Sequence, residues 1–286
     1  MKTLFVFVDG LGFAPPSDHN PVKPEVCPTL FNLMQNHSVA IDANMDTCGL
    51  PQSATGQVAL YTGVNAAQRM GRHQEGFPGP TLRTVIEETN LIKTLDQKGL
   101  SCCFADAYFA DSIEDIRGRR FKSATTVMAL TVPKIIRLTT DMLAGQAVMH
   151  DLTRRVIVPK GYNGPLCTPE KSAEHLLHIA LSHDFTLFEF FISDLAGHSQ
   201  NTEQAESVLN SLDRFLAVLL GSLNEKNILF ILTSDHGNIE DLSVKGHTRN
   251  AIPLAALGPG SEILLRGAKN ITDISPLLLR AISGNG

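Results

Sequence analysis

The chain predicts a doubly wound α/β fold with a mostly parallel sheet, on the strength of three observations. Short runs rich in β-branched and aromatic residues recur at 3–8, 187–192 and 228–232, and their nearly continuous apolar character suits strands buried on both faces. Between them, residues 28–35, 172–182 and 203–219 carry apolar side chains three and four apart, the spacing of helices that cover a sheet. Each strand run then empties toward an acidic residue: Asp9, Asp194 after Ser193, and Asp235 after Thr233 and Ser234. Open α/β sheets bind ligands outside the carboxyl ends of their strands, so these three acids are expected to share one edge.

With 286 residues, the chain is long enough for one substantial core carrying a smaller insertion. Residues 1–69 and 166–286 are expected to form that core. Residues 70–165 are less regular, bounded by the turn-rich segments 76–80 and 161–165, and read as a small inserted α/β cap. Within it, 100–105 is an alternative core strand.

The composition, 43% hydrophobic and 19% charged, is that of a globular protein. A net charge of −5, with no basic tract beyond the short run at 117–120, argues against a nucleic-acid partner. No apolar stretch approaches the roughly 18 residues of a spanning helix, so no membrane partner is expected. The first apolar run is interrupted by Asp9 and too short for a signal peptide. Five cysteines, odd in number and without CxxC spacing, suggest neither a disulfide framework nor a zinc knuckle, and a cytoplasmic location is expected. Oligomeric state is left open by these features.

The chemistry lies in a few polar positions. Asp194 and His198 are four apart, which brings both to one face of a helical turn. Asp235 and His236 follow a strand, and His247 lies in a polar loop further on. Each has an ordinary reading as a turn former, cap or surface histidine. Together, carboxylates and imidazoles without a thiol suit catalytic zinc or manganese rather than a structural zinc site. Ser53 precedes an apolar, helix-like run at 58–62, where it could simply cap the helix. The same placement offers free N–H groups to a phosphate, and a metal-coordinated hydroxyl becomes a nucleophile. Thr55 is its rival, two residues on.

Taken in order, the segments 9–12, 51–56, 194–198, 234–238 and 246–253 resemble the alkaline phosphatase superfamily, and within it the cofactor-independent phosphoglycerate mutase and phosphopentomutase branch. The resemblance covers roughly the first 65 and last 120 residues, and implies an alkaline phosphatase-like core with two divalent metal ions. Asp194, His198 and His247 would hold one ion. Asp9, Asp235 and His236 would hold the other, and Ser53, third before Gly56, would be the seventh ligand as well as the phosphorylated nucleophile. Asn20 resembles a substrate-contacting asparagine of the mutases. Gln57 departs from the histidine usual in that branch, and the chain is shorter than its members, with the loss in the cap.

The implied activity is phosphoryl transfer through a phosphoserine to or from a small phosphorylated metabolite, by a phosphomonoester hydrolase or phosphomutase. Phosphodiesterase activity and a catalytically inactive metal-binding regulator are the alternatives. Arg72, His73, Arg117, Arg119, Arg120 and Lys122 are candidate phosphate contacts, although a charge run is usually a solvated face. Asp9-Gly10-Leu11-Gly12 lacks the third glycine of a dinucleotide fingerprint.

Overall fold

Six strands form one sheet in a computed structural model that describes residues 1–223 and 227–284. They are β1 (Lys2–Val8), β2 (Ser38–Ile41), β3 (Cys102–Phe104), β4 (Phe185–Phe190), β5 (Ile228–Thr233) and β6 (Ile252–Leu257). Their spatial order is β2-β6-β5-β1-β4-β3. β1 is central and pairs in parallel with β4, Val8 opposite Phe190, and with β5, Phe7 opposite Thr233. β3 extends the parallel set, whereas β6 runs antiparallel to both β5 and β2. The mostly parallel α/β sheet expected from the sequence is the observed one.

The helices are α1 (Pro28–Asn36), α2 (Ser53–Thr62), α3 (Ala66–Met70), α4 (Pro80–Glu88) and α5 (Leu91–Gln97) ahead of β3. α6 (Ile113–Gly118), α7 (Ala124–Leu130), α8 (Thr139–Leu143) and α9 (Pro169–Ser182) lie between β3 and β4. α10 (Ile192–Ser199) and α11 (Thr202–Leu223) separate β4 from β5, and α12 (Ser261–Gly267) and α13 (Ile274–Ser283) follow β6.

Side chains alternate between two cores because strand residues point to opposite faces. Phe5 and Phe7 of β1 meet α2, α4, α5, α7 and α13 on one face. Leu4, Val6 and Val8 meet α1, α9 and α11 on the other. Helices on both faces explain why β1, β4 and β5 are apolar at almost every position.

The segment expected as a cap is divided in the structure. β3 belongs to the central sheet, and α4, α5 and α7 pack into the same core as β1, so the boundary at residue 70 assigns core elements to the insertion. A separate small cluster of Ala107, Met142, Ala147, Met149, Ile157 and Tyr162 marks the part with its own interior. Proline and glycine turns drew the boundary too early, because they punctuate core helices as readily as domain junctions. All five cysteines are free, and none of the described helices is long and apolar enough to cross a membrane.

Phe5 is fully buried, with its ring 6.3 Å from that of Tyr61 and 6.4 Å from that of Phe185. Truncation there leaves a void that rigid neighbouring rings cannot fill, so Phe5→Ala should cost about 3–5 kcal/mol of stability. Chemical denaturation measures this, and a loss under about 1 kcal/mol would show that the core collapses into the space.

Candidate metal centre

Three loops leave the carboxyl ends of β1, β4 and β5 side by side, and short polar contacts join them. Ser193 Oγ donates to the Asp9 carbonyl at 2.6 Å. Ser234 Oγ accepts from the Leu11 amide and donates to the His236 carbonyl, both at 2.9 Å. Gly10 turns the first loop at φ +70°, and a Cβ there would meet Asp194 Oδ1 at 2.7 Å; the position needs glycine for both its backbone and its space. Gly56 plays the spatial part alone. A Cβ on it would lie 2.8 Å from the Asp235 carbonyl oxygen, so glycine lets the first turn of α2 press on the end of β5.

The seven expected ligands converge. α10 sets Asp194 and His198 on one face, with His198 Nε2 3.3 Å from Asp194 Oδ2, as the four-residue spacing predicts. His247 Nε2 lies 3.6 Å from Asp194 Oδ1 and 3.2 Å from His198 Nε2. Behind this group, His236 Nε2 is 3.5 Å from both Asp9 Oδ1 and Asp235 Oδ2, and 3.0 Å from Ser53 Oγ. The His236 and His247 rings stack at 3.7 Å with 13° between their planes. Ligand atoms of Asp194, His198 and His247 all lie within 4.8 Å of one another, as do those of Asp9, Asp194 and His236. Asp194 therefore stands between the two sets.

The donor chemistry fits divalent ions. His198 Nδ1 is 3.0 Å from the Lys245 carbonyl oxygen and His247 Nδ1 is 2.8 Å from that of Pro51. A carbonyl only accepts, so each Nδ1 carries the proton and each ring turns its Nε2 inward. At 3.2 Å the two Nε2 atoms either share a proton or lie together against a cation, and with Asp194 they form a three-ligand group. Asp9 Oδ1, buried and without a hydrogen-bond partner, favours a cation beside it.

Electrostatics agree. Burial, then the neighbouring carboxylates of Asp235, Asp194 and Glu189, pushes Asp9 well above the ordinary carboxylate range. Asp235 is pushed up to about 8, chiefly by burial and then by Asp194, against the hydrogen bond from Gln57. Burial, then His247, holds His236 well below the usual imidazole range, and burial lowers His247 as well. Carboxyls that resist ionising beside imidazoles that resist protonation leave a pocket short of positive charge.

Ser53 opens α2, but Gln52 is the N-cap and no side chain caps the helix. The capping reading of Ser53 therefore fails, because its hydroxyl is turned to His236 instead. Thr55 is fully buried, donates to the Gln52 carbonyl at 3.1 Å and accepts from the Gln74 amide at 3.3 Å. His73 lies 3.5 Å from Thr55 Oγ1 and 3.1 Å from the Asn44 carbonyl oxygen, with burial lowering its pKa.

An open cleft of about 430 Å³ over the centre is lined by Ser53, Asp194, His198 and His247 with Gln52 and Glu75. Thr55, Arg72 and His73 are not part of that lining. Nor is Asn20, whose side chain bonds to the Ala14 and Pro15 carbonyls and to the Val22 amide, folding its own loop.

Three supporting residues surround the ligands, and of these the sequence singled out only Gln57, as a departure. Gln57 donates to Asp235 Oδ2 at 3.2 Å, giving the departure from histidine a defined role. Asn238 Nδ2 donates to Asp194 Oδ1 at 2.6 Å. Glu240, only 1% exposed, accepts from the Gly12 and Asn238 amides, the Thr248 hydroxyl and the Asn250 amide group. Its position two residues past Asn238 in a strand-end loop was the available signal.

Without metal, the folded chain holds a proton on Asp235 up to about pH 8, whereas the unfolded chain releases it near 3.8. Stability of metal-stripped protein should then fall as pH rises from about 6.5 to about 8, above the range where the lowered histidines oppose it. Thermal melting across that range measures it. Asp235→Asn should flatten the fall, and a melting temperature that rises instead would contradict the electrostatic picture.

The family model described as the metalloenzyme superfamily matches residues 1–284. Among curated proteins, the 2,3-bisphosphoglycerate-independent phosphoglycerate mutase of Ehrlichia canis (strain Jake) is 21% identical over 217 residues, covering 70% of this chain and 42% of that protein. The enzyme of the same name from Wolinella succinogenes is 32% identical over 123 residues, covering 39% and 25%. The chain thus spans less than half the length of these curated relatives. A solved cold-active alkaline phosphatase from a psychrophilic Shewanella sp. superposes with a TM-score of 0.59 at 12% identity, covering 97% of this chain and 99% of that one. The alkaline phosphatase of the Antarctic bacterium TAB5 gives 0.51 at 13% identity, over 100% and 99%. At such identities the structural likeness is one of fold, and it is the alkaline phosphatase-like fold the motifs implied. With a family model matching all but its last two residues, the chain belongs to the metalloenzyme superfamily.

Proposed function

We propose that this protein is a two-metal phosphoryl-transfer enzyme that works through a phosphoserine at Ser53 on a small phosphorylated metabolite. The observation that carries the reading is the position of Ser53 Oγ, 3.0 Å from His236 Nε2 at the mouth of the ligand cluster. An ordinary structural serine at the start of a helix would turn its hydroxyl to the helix amides. This one faces imidazoles and carboxylates.

Bound divalent ions, of zinc or manganese type, would lower the pKa of the serine hydroxyl and offset charge on the phosphoryl oxygens. The chain supplies the remainder. Asp194, His198 and His247 form one set of ligands, while Asp9, Asp235 and His236 surround the other position beside Ser53. Gln57 and Asn238 fix the orientation of Asp235 and Asp194 through their amide groups, as outer-shell partners do. The Ser53 oxygen would bond to phosphorus as the ester oxygen of the leaving group departs, and an acceptor hydroxyl would reverse the step. Water as acceptor makes a phosphatase; a second hydroxyl of the substrate makes a mutase. The likeness to phosphoglycerate mutases and alkaline phosphatases supports both outcomes.

Metal-loaded protein should hydrolyse p-nitrophenyl phosphate. Ser53→Ala should lower kcat by about 10³-fold or more while metal content stays unchanged. Turnover surviving that substitution would remove Ser53 from the mechanism, and metal lost with it would make the serine a ligand only. Release of inorganic phosphate from phosphorylated sugars and glycerates, against isomerisation without release, separates hydrolase from mutase.

A further inference from the structure

Beside the metal centre lies a second cavity of about 310 Å³ that the proposed chemistry leaves unused. The two are neighbours along the chain, since Gly76 lines the cleft over the metal ligands and Phe77 lines the cavity. Six aromatic side chains contribute to its walls: Phe77, Phe104, Tyr108, Phe109, Phe121 and Phe191. Phe77 and Phe121 are half exposed and stack with ring centres 5.3 Å apart, which places them at the mouth.

Two acids, Asp106 and Glu189, also line this cavity, at 5% and 0% exposure. Glu189 Oε1 accepts hydrogen bonds from the hydroxyls of Tyr61 and Thr125. Asp106 Oδ2 accepts from the Glu189 amide at 2.8 Å. The other oxygen of each, Glu189 Oε2 and Asp106 Oδ1, is buried without a partner. Burial raises both groups, Glu189 to about 7, and the nearby Glu189 carboxylate raises Asp106 further. Of the basic side chains that line the cavity, Arg119 and Lys160 are exposed, and burial holds the third, His150, below the usual imidazole range. Arg119 is occupied with the Tyr108 ring, 5.4 Å from its centre. Paired acids inside aromatic walls are a receptor for an organic cation, which meets carboxylate and ring faces together.

We propose that this cavity binds a small amine, its ammonium group held by Asp106 and Glu189 and its carbon skeleton by the aromatic walls. The amine would be the organic portion of the phosphorylated substrate, a part of the inference that rests on the phosphoryl-transfer reading above.

Isothermal titration of the metal-loaded full chain with choline, ethanolamine and the uncharged choline isostere 3,3-dimethylbutan-1-ol tests the site. The amines should bind at least about tenfold more tightly than the isostere. Asp106→Asn should weaken choline by about tenfold. Phe121→Ala, at an exposed position where folding is not at stake, should weaken it too, whereas Ser53→Ala should leave it unchanged. Choline should also raise KM for p-nitrophenyl phosphate without altering kcat.

Equal binding of the isostere, or no binding of choline or ethanolamine at millimolar concentration, would overturn the assignment. Choline binding without competition would overturn its link to the substrate. Choline binding by a chain inactive on p-nitrophenyl phosphate would uphold the cavity and remove the Ser53 chemistry; activity without amine binding would do the reverse.

Discussion

Crowding of like charge is the constraint around which this protein is organised. Asp9, Asp194 and Asp235 reach one point from the ends of three separate strands, in a setting where burial and neighbouring carboxylates make the ionised forms of Asp9 and Asp235 costly. Nothing in the hydrophobic effect favours such an arrangement. It persists because the two apolar cores flanking the sheet fix β1, β4 and β5 in register, and so fix where their carboxyl ends deliver the acids. Fold stability is converted at this edge into a demand for cations. His236 and His247 sharpen it, since burial keeps these two rings from becoming cations themselves.

Rigidity at the centre comes from a shell of neutral donors rather than from ion pairs. Hydroxyls of Ser193 and Ser234 join the loops through the backbone, while Gln57 and Asn238 each give an amide hydrogen to a carboxylate oxygen. Neutral donors suit this task because they orient a carboxylate without quenching the charge that a metal needs. Glu240 is the exception in charge but not in logic. It stands apart from the ligand cluster and spends its acceptors on two amides and two side chains of the surrounding loops.

Much of this was legible in the sequence, and the reasons differ by element. β1, β4 and β5 announced themselves because burial on both faces demands unbroken apolar runs, and the acids at their ends followed from topology. The pairing of Asp194 with His198 followed from helical spacing. β2 was hidden by its half-exposed side chains, and β6 by Pro253, a residue that argues against an interior strand. Local motifs could not reveal that polar atoms of Asn20 and Thr55 are hydrogen-bonded to nearby backbone. The pairing of Asp106 with Glu189 joins residues 83 apart, and no local pattern signals a contact of that range.

The reversal of β6 has a consequence of its own. Because it runs against β5, it begins at the edge where β5 stops, and the chain between them never crosses to the far side of the sheet. Within residues 234–251, Gly246 and His247 line the cleft, and the loop is closed near its two ends where Gly237 pairs with Thr248. A crossover helix would have carried His247 away and required another strand to bring it back. One antiparallel step thus gives the catalytic edge a continuous ribbon of loop, open to lengthening or recolouring with new side chains while every strand beneath keeps its neighbours.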